Sequence, residues 1–254
     1  MKRALRVLAS SALLIAGLTV AAVPAGASSW SQSDNHGQHG DWDHGRSTAD
    51  LSLVHGVPGL RVDIYVVKNF HSFKELAGVS FGAATDLSTD FPGWVTSGIY
   101  TVDVVPTGGN PFHPLLLTSF ALGSHQSKTV AAYVTADASG TAGGPTLGVF
   151  SNDVSSTGGS ARVTVRHLAV APTVGVYANG AVALTPAFSN GQTAVAQVPS
   201  SSYDVTVTAP STPATVLADL GPVALPANTN VLAFAIGTYG SSFEVVSLAV
   251  PTQV

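Results

Sequence analysis

The densest set of side chains with chemical potential is a histidine-rich stretch near the N-terminus. His36, His39 and His44 lie within nine residues, together with Asp41 and Asp43. Imidazole and carboxylate ligands suit zinc, copper or nickel, and the intervening glycines would let them converge. A defined site also needs a scaffold that fixes its geometry, and this stretch supplies none. We therefore interpret it as solvated linker with weak metal-binding potential, and we predict no cofactor for the protein.

A second pattern, Gly78–Gly82, matches the Gly-x-Ser-x-Gly nucleophile elbow of hydrolases, with Ser80 in the attacking position. That elbow is a strained strand-to-helix turn that presents the hydroxyl to the substrate. No helical pattern follows Ser80, and a chance match is expected in a chain with 26 glycines. The acids with potential for glycoside hydrolysis, Asp86, Asp90 and Asp103, lack any distinguishing context. We predict no catalytic residue and keep an esterase or glycosidase as the alternative.

A third set of side chains occurs twice, because two stretches of the chain are nearly the same. Leu51–Tyr65 resembles Val163–Tyr177, with an offset of 112 residues. Gly98–Val104 resembles Ser201–Val207, and a third echo pairs Thr129–Tyr133 with Asn230–Phe234. The chain is therefore a tandem duplication, and the repeat unit is the expected folding unit.

The duplication aligns His55 with His167, each in phase with apolar residues at a predicted strand end. That placement favours a structural role, in which one ring nitrogen bonds a turn carbonyl while the ring packs at the core edge. A catalytic use of His55 with Asp63 could exist only once, because the repeat has Gly175 in place of the aspartate. We predict structural roles for His55, Pro58, Asp63, Tyr65, Tyr100, His167, Tyr177 and Tyr203.

The pattern from Asp50 onward predicts an all-β protein. Short runs rich in Val, Thr, Ile and Tyr alternate with Gly, Pro and Ser clusters, which is typical of sandwiches. The one possible helix is Phe70–Ala77. Strands are predicted near 50–55, 61–67, 77–82, 98–105, 115–122, 128–135 and 146–150, and near 161–168, 174–178, 192–198, 202–208, 214–220, 229–237 and 242–249. We predict two tandem immunoglobulin-like β-sandwich domains, at 49–157 and 158–254.

The N-terminus predicts export. Residues 1–27 have the basic start, apolar run and small-residue cleavage site of a signal peptide, and residues 28–48 read as a disordered linker. Cleavage would leave seven basic side chains against 14 acidic ones, which argues against nucleic acid as a partner. No transmembrane segment is expected in the mature chain. With no cysteine, each domain must be stable on its core alone.

The motifs His55-x-x-Pro58, Val-Asp63-Ile-Tyr65 and Gly-x-Tyr100-Thr-Val resemble the DUF4397 domain, in two copies over about residues 49 to 250. The resemblance implies a bacterial extracytoplasmic β-sandwich and supplies no catalytic residue. The second copy departs from the pattern at Gly175. We therefore expect a secreted or cell-envelope-associated, non-enzymatic structural or binding module whose partner is an unknown envelope or extracellular component. The alternatives are the hydrolase and a weak metal-binding protein acting through residues 36–44.

Overall fold

The computed structural model describes residues 49–180, 182–210 and 212–253. The predicted signal peptide, linker and metal candidates His36, His39 and His44 lie outside these ranges. The first repeat contains strands β1 Asp50–His55, β2 Val62–Lys68, β3 Ser72–Val79, β4 Ala84–Asp86, β5 Gly98–Pro106, β6 Leu116–Leu122, β7 Ser127–Ala136 and β8 Ala142–Asn152, with one short helix, α1 Leu87–Asp90. None of the helices in the described ranges has the length and apolar character that a bilayer crossing requires.

The second repeat contains β9 Ala161–His167, β10 Val174–Ala178, β11 Val182–Phe188, β12 Thr193–Val198, β13 Ser201–Ala209, β14 Thr212–Leu225, β15 Thr229–Ile236 and β16 Glu244–Pro251. Each repeat forms two four-stranded sheets. Their orders are β4-β1-β7-β8 and β3-β2-β5-β6 in the first, and β12-β9-β15-β16 and β11-β10-β13-β14 in the second. The prediction of an all-β protein with two tandem sandwiches is confirmed.

Period-two alternation places the apolar side chains between the two sheets of each sandwich. On β2, for example, Val62, Ile64 and Val66 are buried in the first core. The first strand of each repeat pairs in parallel with the seventh, β1 with β7 and β9 with β15, and the remaining ladders are antiparallel. Both repeats therefore share one topology.

Three local predictions are wrong. The possible helix at Phe70–Ala77 is strand β3, which pairs along β2, and this pairing outweighs the local helix propensity. Strand β11 was not predicted, because Pro186 interrupts its pattern; β11 is an edge strand, where proline is tolerated. The third echo is displaced by two residues, since His55 pairs with Ala132 and His167 with Ala235.

The two sandwiches pack together through sheets β4-β1-β7-β8 and β12-β9-β15-β16. One apolar cluster spans this interface and includes Val54, Ala131 and Tyr133 from the first sandwich and Leu232, Phe234 and Ile236 from the second. The contact is close at Gly56, where an added Cβ would lie 2.8 Å from a methyl group of Ile236. The four sheets therefore form one stack of layers.

Arg166 lies at the centre of this interface and is fully buried. Its guanidinium lies 5.0 Å from the ring centre of Phe150 and 5.3 Å from that of Phe234, within range for cation–π attraction. One terminal nitrogen, Nη2, donates to the carbonyl oxygen of Ser151 at 3.0 Å and to Asn152 Oδ1 at 2.8 Å. Burial lowers the pKa of Arg166 to about 10, so the side chain remains charged at neutral pH.

Candidate functional site

The recurring histidines fasten the turn that follows the first strand of each sandwich. Nε2 of His55 lies 2.9 Å from the carbonyl oxygen of Leu60, and Nε2 of His167 lies 3.1 Å from that of Pro172. A carbonyl oxygen only accepts, so each Nε2 carries the proton and donates it. In the first copy, Pro58 and Gly59 form the turn that presents the Leu60 carbonyl, with Gly59 at a φ of +72°.

Both imidazoles are closed off from solvent, with 1% of each residue exposed. Burial lowers the pKa of His55 and of His167 below the usual 6.5, since a charged ring would lose its hydration. The Nδ1 atom of each ring is buried without a hydrogen-bond partner. These atoms are therefore poorly placed to exchange protons with a substrate.

Asp63 ties β2 to the neighbouring loops. Its carboxylate accepts hydrogen bonds from the amide of Gly78 at 2.6 Å, the amide of Gly108 at 3.1 Å and the Thr107 hydroxyl at 3.2 Å. The bonds from the Gly78 and then the Gly108 amide lower the pKa of Asp63. The Asp63 carboxylate therefore holds these loops in place, whereas the His55 ring is bonded to the Leu60 carbonyl.

The second copy has no room for this aspartate. A Cβ added at Gly175 would lie 2.9 Å from the carbonyl oxygen of Pro186 and 3.1 Å from the Thr208 hydroxyl. A site that needs a carboxylate at this position therefore exists only in the first sandwich.

The recurring tyrosines divide into an inner and an outer pair. Tyr100 and Tyr203 each donate from the hydroxyl to the carbonyl four residues upstream, at 2.7 and 2.9 Å. Tyr65 lies on the outer sheet face and donates to Glu75 Oε1 at 3.1 Å, while its counterpart Tyr177 is buried. The hydroxyls of Tyr65, Tyr100 and Tyr203 are thus each bonded to a group of the protein itself.

The hydrolase candidates are not assembled into a catalytic arrangement. Ser80 is exposed in the turn between β3 and β4, so no helix follows it as in a nucleophile elbow. Asp86 is the N-cap of α1 and accepts from the Ser88 amide at 2.9 Å. Asp90 lies in α1, while Asp103 lies on β5. Within the described part of the chain, no group of three His, Asp or Glu side chains could hold a metal ion.

A cavity of about 250 Å³ runs through the core of the second sandwich. Both sheets contribute to its wall, and the wall presents an apolar surface throughout. Its lining includes Val163, Val174, Val205, Leu225, Val223 and Ala233. The ring of His167 also lies in the wall and meets Phe188 edge-on, with 5.4 Å between ring centres.

Smaller side chains create part of this space. The strand registers show which inward-facing residue of the second sandwich is equivalent to each inward-facing residue of the first. At many of these positions the second copy has the smaller side chain. The replacements are Leu51 by Val163, Leu53 by Val165, Ile64 by Val176, Val66 by Ala178, Phe120 by Val223 and Val130 by Ala233. The sequence predicted no cavity, although the first echo already aligns Leu51 with Val163 and Ile64 with Val176 and so shows part of the reduction in side-chain size.

The second sandwich also lacks a segment equivalent to α1 and Trp94, and this absence creates the rest of the cavity volume. In the first sandwich α1 buries Leu87 completely, and Trp94 then packs edge-on against Tyr100, which stacks on Phe120; both ring pairs have centres 5.9 Å apart. In the second sandwich β12 ends at Val198 and β13 begins at Ser201. This connection is too short to contain a counterpart of α1 or Trp94.

An empty cavity of this size carries a large energetic cost. At about 24 cal/mol per Å³, 250 Å³ corresponds to roughly 6 kcal/mol relative to a filled core. That cost is comparable with the whole stability of many domains, about 5–15 kcal/mol. Protein interiors rarely retain voids larger than a water molecule, so the cavity is the strongest candidate for a functional site.

A family profile for a domain of unknown function, DUF4397, matches residues 49–177. The chain belongs to the DUF4397 family. The match covers a little over half of the sequence and includes the whole first sandwich and the first two strands of the second. The resemblance predicted from His55, Pro58, Asp63 and Tyr65 is thereby confirmed. No curated protein matches the sequence.

Eleven chains of solved structure match this DUF4397 protein. One is the Bacillus anthracis TIE protein, at 9% identity and a TM-score of 0.24, covering 81% of this chain; the chain spans only 31% of that protein. Another is a Bacteroides ovatus protein described as a candidate cell adhesion protein, at 8% identity and a TM-score of 0.26, covering 80% of this chain and 98% of the other.

Proposed function

We propose that this DUF4397 protein is a secreted or cell-envelope-associated, non-enzymatic binding module whose second sandwich holds an apolar ligand. The observation that carries the proposal is the 250 Å³ cavity in a sandwich whose sister copy is filled. The first sandwich demonstrates that the fold can close its core without a ligand. The open core of the second copy therefore reflects its own side chains rather than a limit of the topology.

Water is a poor occupant for this space. A single water needs about 10–15 Å³ of cavity volume and two to four polar partners. The wall offers an apolar surface, so waters along it would lose hydrogen bonds. An apolar ligand loses nothing there, and each buried CH₂ group contributes about 0.8 kcal/mol.

The side chains around the cavity favour binding over catalysis. Among the described residues of its wall, His167 is the one histidine, and its Nε2 is bonded to the Pro172 carbonyl while its Nδ1 is buried. Tyr203 also lies in the wall, with its hydroxyl committed to Pro199. The lining residues that the structure describes include no nucleophile with an adjacent base, which is the minimum for acyl or glycosyl transfer.

Binding can be tested with the mature protein after extraction of bound lipid, using the neutral apolar fluorophore N-phenyl-1-naphthylamine. Burial of a ligand with roughly twelve carbons would contribute about 10 kcal/mol of binding free energy, and association would cost about 4 kcal/mol. The difference corresponds to a Kd in the tens of micromolar. The variant Val223→Phe places in the cavity the ring that Phe120 supplies in the first sandwich, and we expect it to abolish binding.

The matched control is Val216→Phe, on the same strand but with the original side chain 51% exposed. This variant should bind the fluorophore as the parent does. Equal binding by parent and Val223→Phe would contradict the proposal, as would no binding by the parent.

The non-enzymatic character and the location require separate tests. A screen of chromogenic esters and glycosides should give no turnover, and activity that disappears in Ser80→Ala would overturn this part of the proposal. The pattern of residues 1–27 supports export. Fractionation of the producing cells should therefore find the protein outside the cytoplasm, and recovery of most of it from the cytoplasm would contradict the proposed location.

A further inference from the structure

We infer that the apolar ligand enters the cavity at one end of the second sandwich, through a mouth bounded by Pro172, Pro210 and Tyr239, and that two turns of the first sandwich brace this mouth and slow ligand exchange, a step that rests on the proposed binding function. The exposed part of the cavity wall locates the mouth. Contacts between the two sandwiches show what holds it.

The exposed residues of the cavity wall lie together. Among the wall residues that the structure describes, Pro172, Pro210 and Tyr239 are exposed, and the others are buried or half-buried. Pro172 precedes β10, Pro210 follows β13 and Tyr239 follows β15. Strand β10 begins where its antiparallel neighbour β13 ends, and a β-bridge joins the segment before β10 to the segment after β15. The three residues therefore surround one end of the cavity.

The opposite end of the cavity is closed. Val198 and Leu225, the last residues of β12 and β14, line it and are only 8% and 3% exposed. Tyr203, near the start of β13, is half-buried, and its hydroxyl donates to the Pro199 carbonyl at 2.9 Å. The wall is therefore most accessible at the mouth.

The first sandwich closes the equivalent end of its core with a side chain. Leu60 has the position of Pro172, because the carbonyl of each accepts a hydrogen bond from the histidine five residues earlier. The Leu60 side chain packs against the first core, whereas Pro172 is exposed. The open end is thus particular to the copy that contains the cavity.

The tip of the β7–β8 hairpin, in the first sandwich, contacts the Pro172 side of the mouth. The Thr173 amide donates to the Ala138 carbonyl oxygen at 3.2 Å. The backbones also approach closely here, since a Cβ added at Gly140 would lie 2.7 Å from the backbone nitrogen of Pro172. This side of the mouth is therefore attached to the first sandwich.

The turn between β3 and β4, also in the first sandwich, contacts the Tyr239 side. A Cβ added at Gly237 would lie 2.9 Å from the ring of Phe81, and one added at Gly82 would lie 2.7 Å from a carboxylate oxygen of Glu244. Gly237 and Glu244 flank the loop that carries Tyr239. Because the mouth is held on both sides, it should open rarely, and ligand exchange should be limited by this opening.

Single cysteines can locate the mouth, because the chain has none of its own. Tyr239→Cys and Pro210→Cys are each labelled with biotin maleimide and then capped with streptavidin. Stopped-flow fluorescence measures the association and dissociation of N-phenyl-1-naphthylamine before and after capping. We expect the cap to slow both rates at least about ten-fold at either position, because it covers the route into the cavity.

The matched controls are Val216→Cys, on edge strand β14, and Ser201→Cys, at the closed end; both positions are exposed. The same cap at these positions should leave both rates within about two-fold of the uncapped protein. Slowing at Val216→Cys or Ser201→Cys but not at the mouth would place the entrance elsewhere and overturn the inference.

Asp137→Ala tests the brace. Its Oδ1 accepts hydrogen bonds from the amides of Ser139 and Thr141, each at 2.9 Å, and so shapes the hairpin tip. Loss of these bonds should raise both rates several-fold and leave the Kd nearly unchanged, since the cavity wall is not altered. Asn110→Ala is the control, because it removes a similar bond, to the Phe112 amide, from the β5–β6 connection of the outer sheet. Parent rates in Asp137→Ala would overturn the role of the first sandwich.

The outcomes separate the route from the function. If the fluorophore binds and Val223→Phe abolishes binding, the binding function stands. Equal rates with and without the cap at both mouth positions would then overturn the inference alone. Failure of the parent to bind the fluorophore would overturn both proposals together.

Discussion

The two sandwiches share a topology and differ in how their cores are filled. The first closes its core with Leu87, Trp94 and Phe120 around the buried Tyr100. The second keeps the equivalent Tyr203 but has Val223 in place of Phe120 and no counterpart of Trp94. The histidine turn and the tyrosine-to-carbonyl bond are retained in both copies. These shared contacts are thus compatible with a filled core and with a hollow one.

The largest effect is expected from truncating a leucine in the filled core. Leu87→Ala should lower the free energy of unfolding by about 3 kcal/mol, because the side chain is fully buried among packed neighbours. Leu225→Ala makes the same chemical change in the cavity wall and should cost about 1 kcal/mol less, since its side chain already has fewer contacts. Urea denaturation measures both, and equal losses would show that the two cores are packed alike.

Acid should destabilise the two sandwiches in the same way. The unfolded histidines take up protons near pH 6.5, whereas burial delays protonation of folded His55 and His167 to lower pH. Stability should therefore fall below pH 6.5, by up to about 1.4 kcal/mol per pH unit for each histidine. Urea midpoints between pH 7.5 and 5.5 report the slope, which His55→Gln or His167→Gln should each reduce by a similar amount. A slope that neither variant changes would exclude both histidines as its source.

Removing the aromatic ring at position 120 and adding one at the equivalent position 223 should change the stability of the protein in opposite directions. Phe120→Val removes a ring stacked on Tyr100 and should lower the stability by about 2 kcal/mol. Val223→Phe fills space in the second core and should raise the stability of ligand-free protein by about 1 kcal/mol. Thermal unfolding of both variants tests the comparison. A loss on Val223→Phe as large as that on Phe120→Val would mean that the second core has no room for the ring.

The smallest effect concerns Asp63, which has no counterpart in the second sandwich. Its pKa is lowered in the folded state, so its contribution to stability is present above the unfolded value near pH 4 and disappears as the pH falls through the folded value. Asp63→Asn should cost about 1 kcal/mol at pH 7, and this cost should shrink as the pH falls below the unfolded value. A denaturation series from pH 7 downward checks this, and a cost that does not change with pH would assign the effect to shape rather than charge.

The all-β fold could be predicted from the sequence because the patterns that specify its strands and turns each lie within a short segment of the chain. Alternation along β2 and β5, turn residues between strands and the repeated His and Tyr positions all act within a few residues. The register of β15 against β9 could not be predicted in the same way. A two-residue shift keeps every side chain on its own face, so Asn230–Phe234 aligns with Thr129–Tyr133 by pattern alone.

The cavity could not be predicted from any one segment, because its volume depends on side chains from many strands. Replacing Leu51 by Val163 or Val130 by Ala233 looks conservative in isolation. Only the registers show that these smaller residues face one another. The absence of a Trp94 counterpart could not be linked to the cavity for the same reason, since the sequence does not show which core the Trp94 segment fills.

At the interface between the sandwiches, the buried Arg166 marks a position where the two copies have diverged. Its counterpart in the first copy is Val54, so the same face of the duplicated sheet now carries a cation in one copy and an apolar side chain in the other. Removing the first sandwich would leave Arg166 without Phe150 and Asn152 and would expose Phe234. Removing the second sandwich would likewise uncover Val54, Ala131 and Tyr133. Each sandwich therefore acts as the solvent barrier for one face of the other, and we expect either half on its own to need new polar side chains at this face to remain soluble.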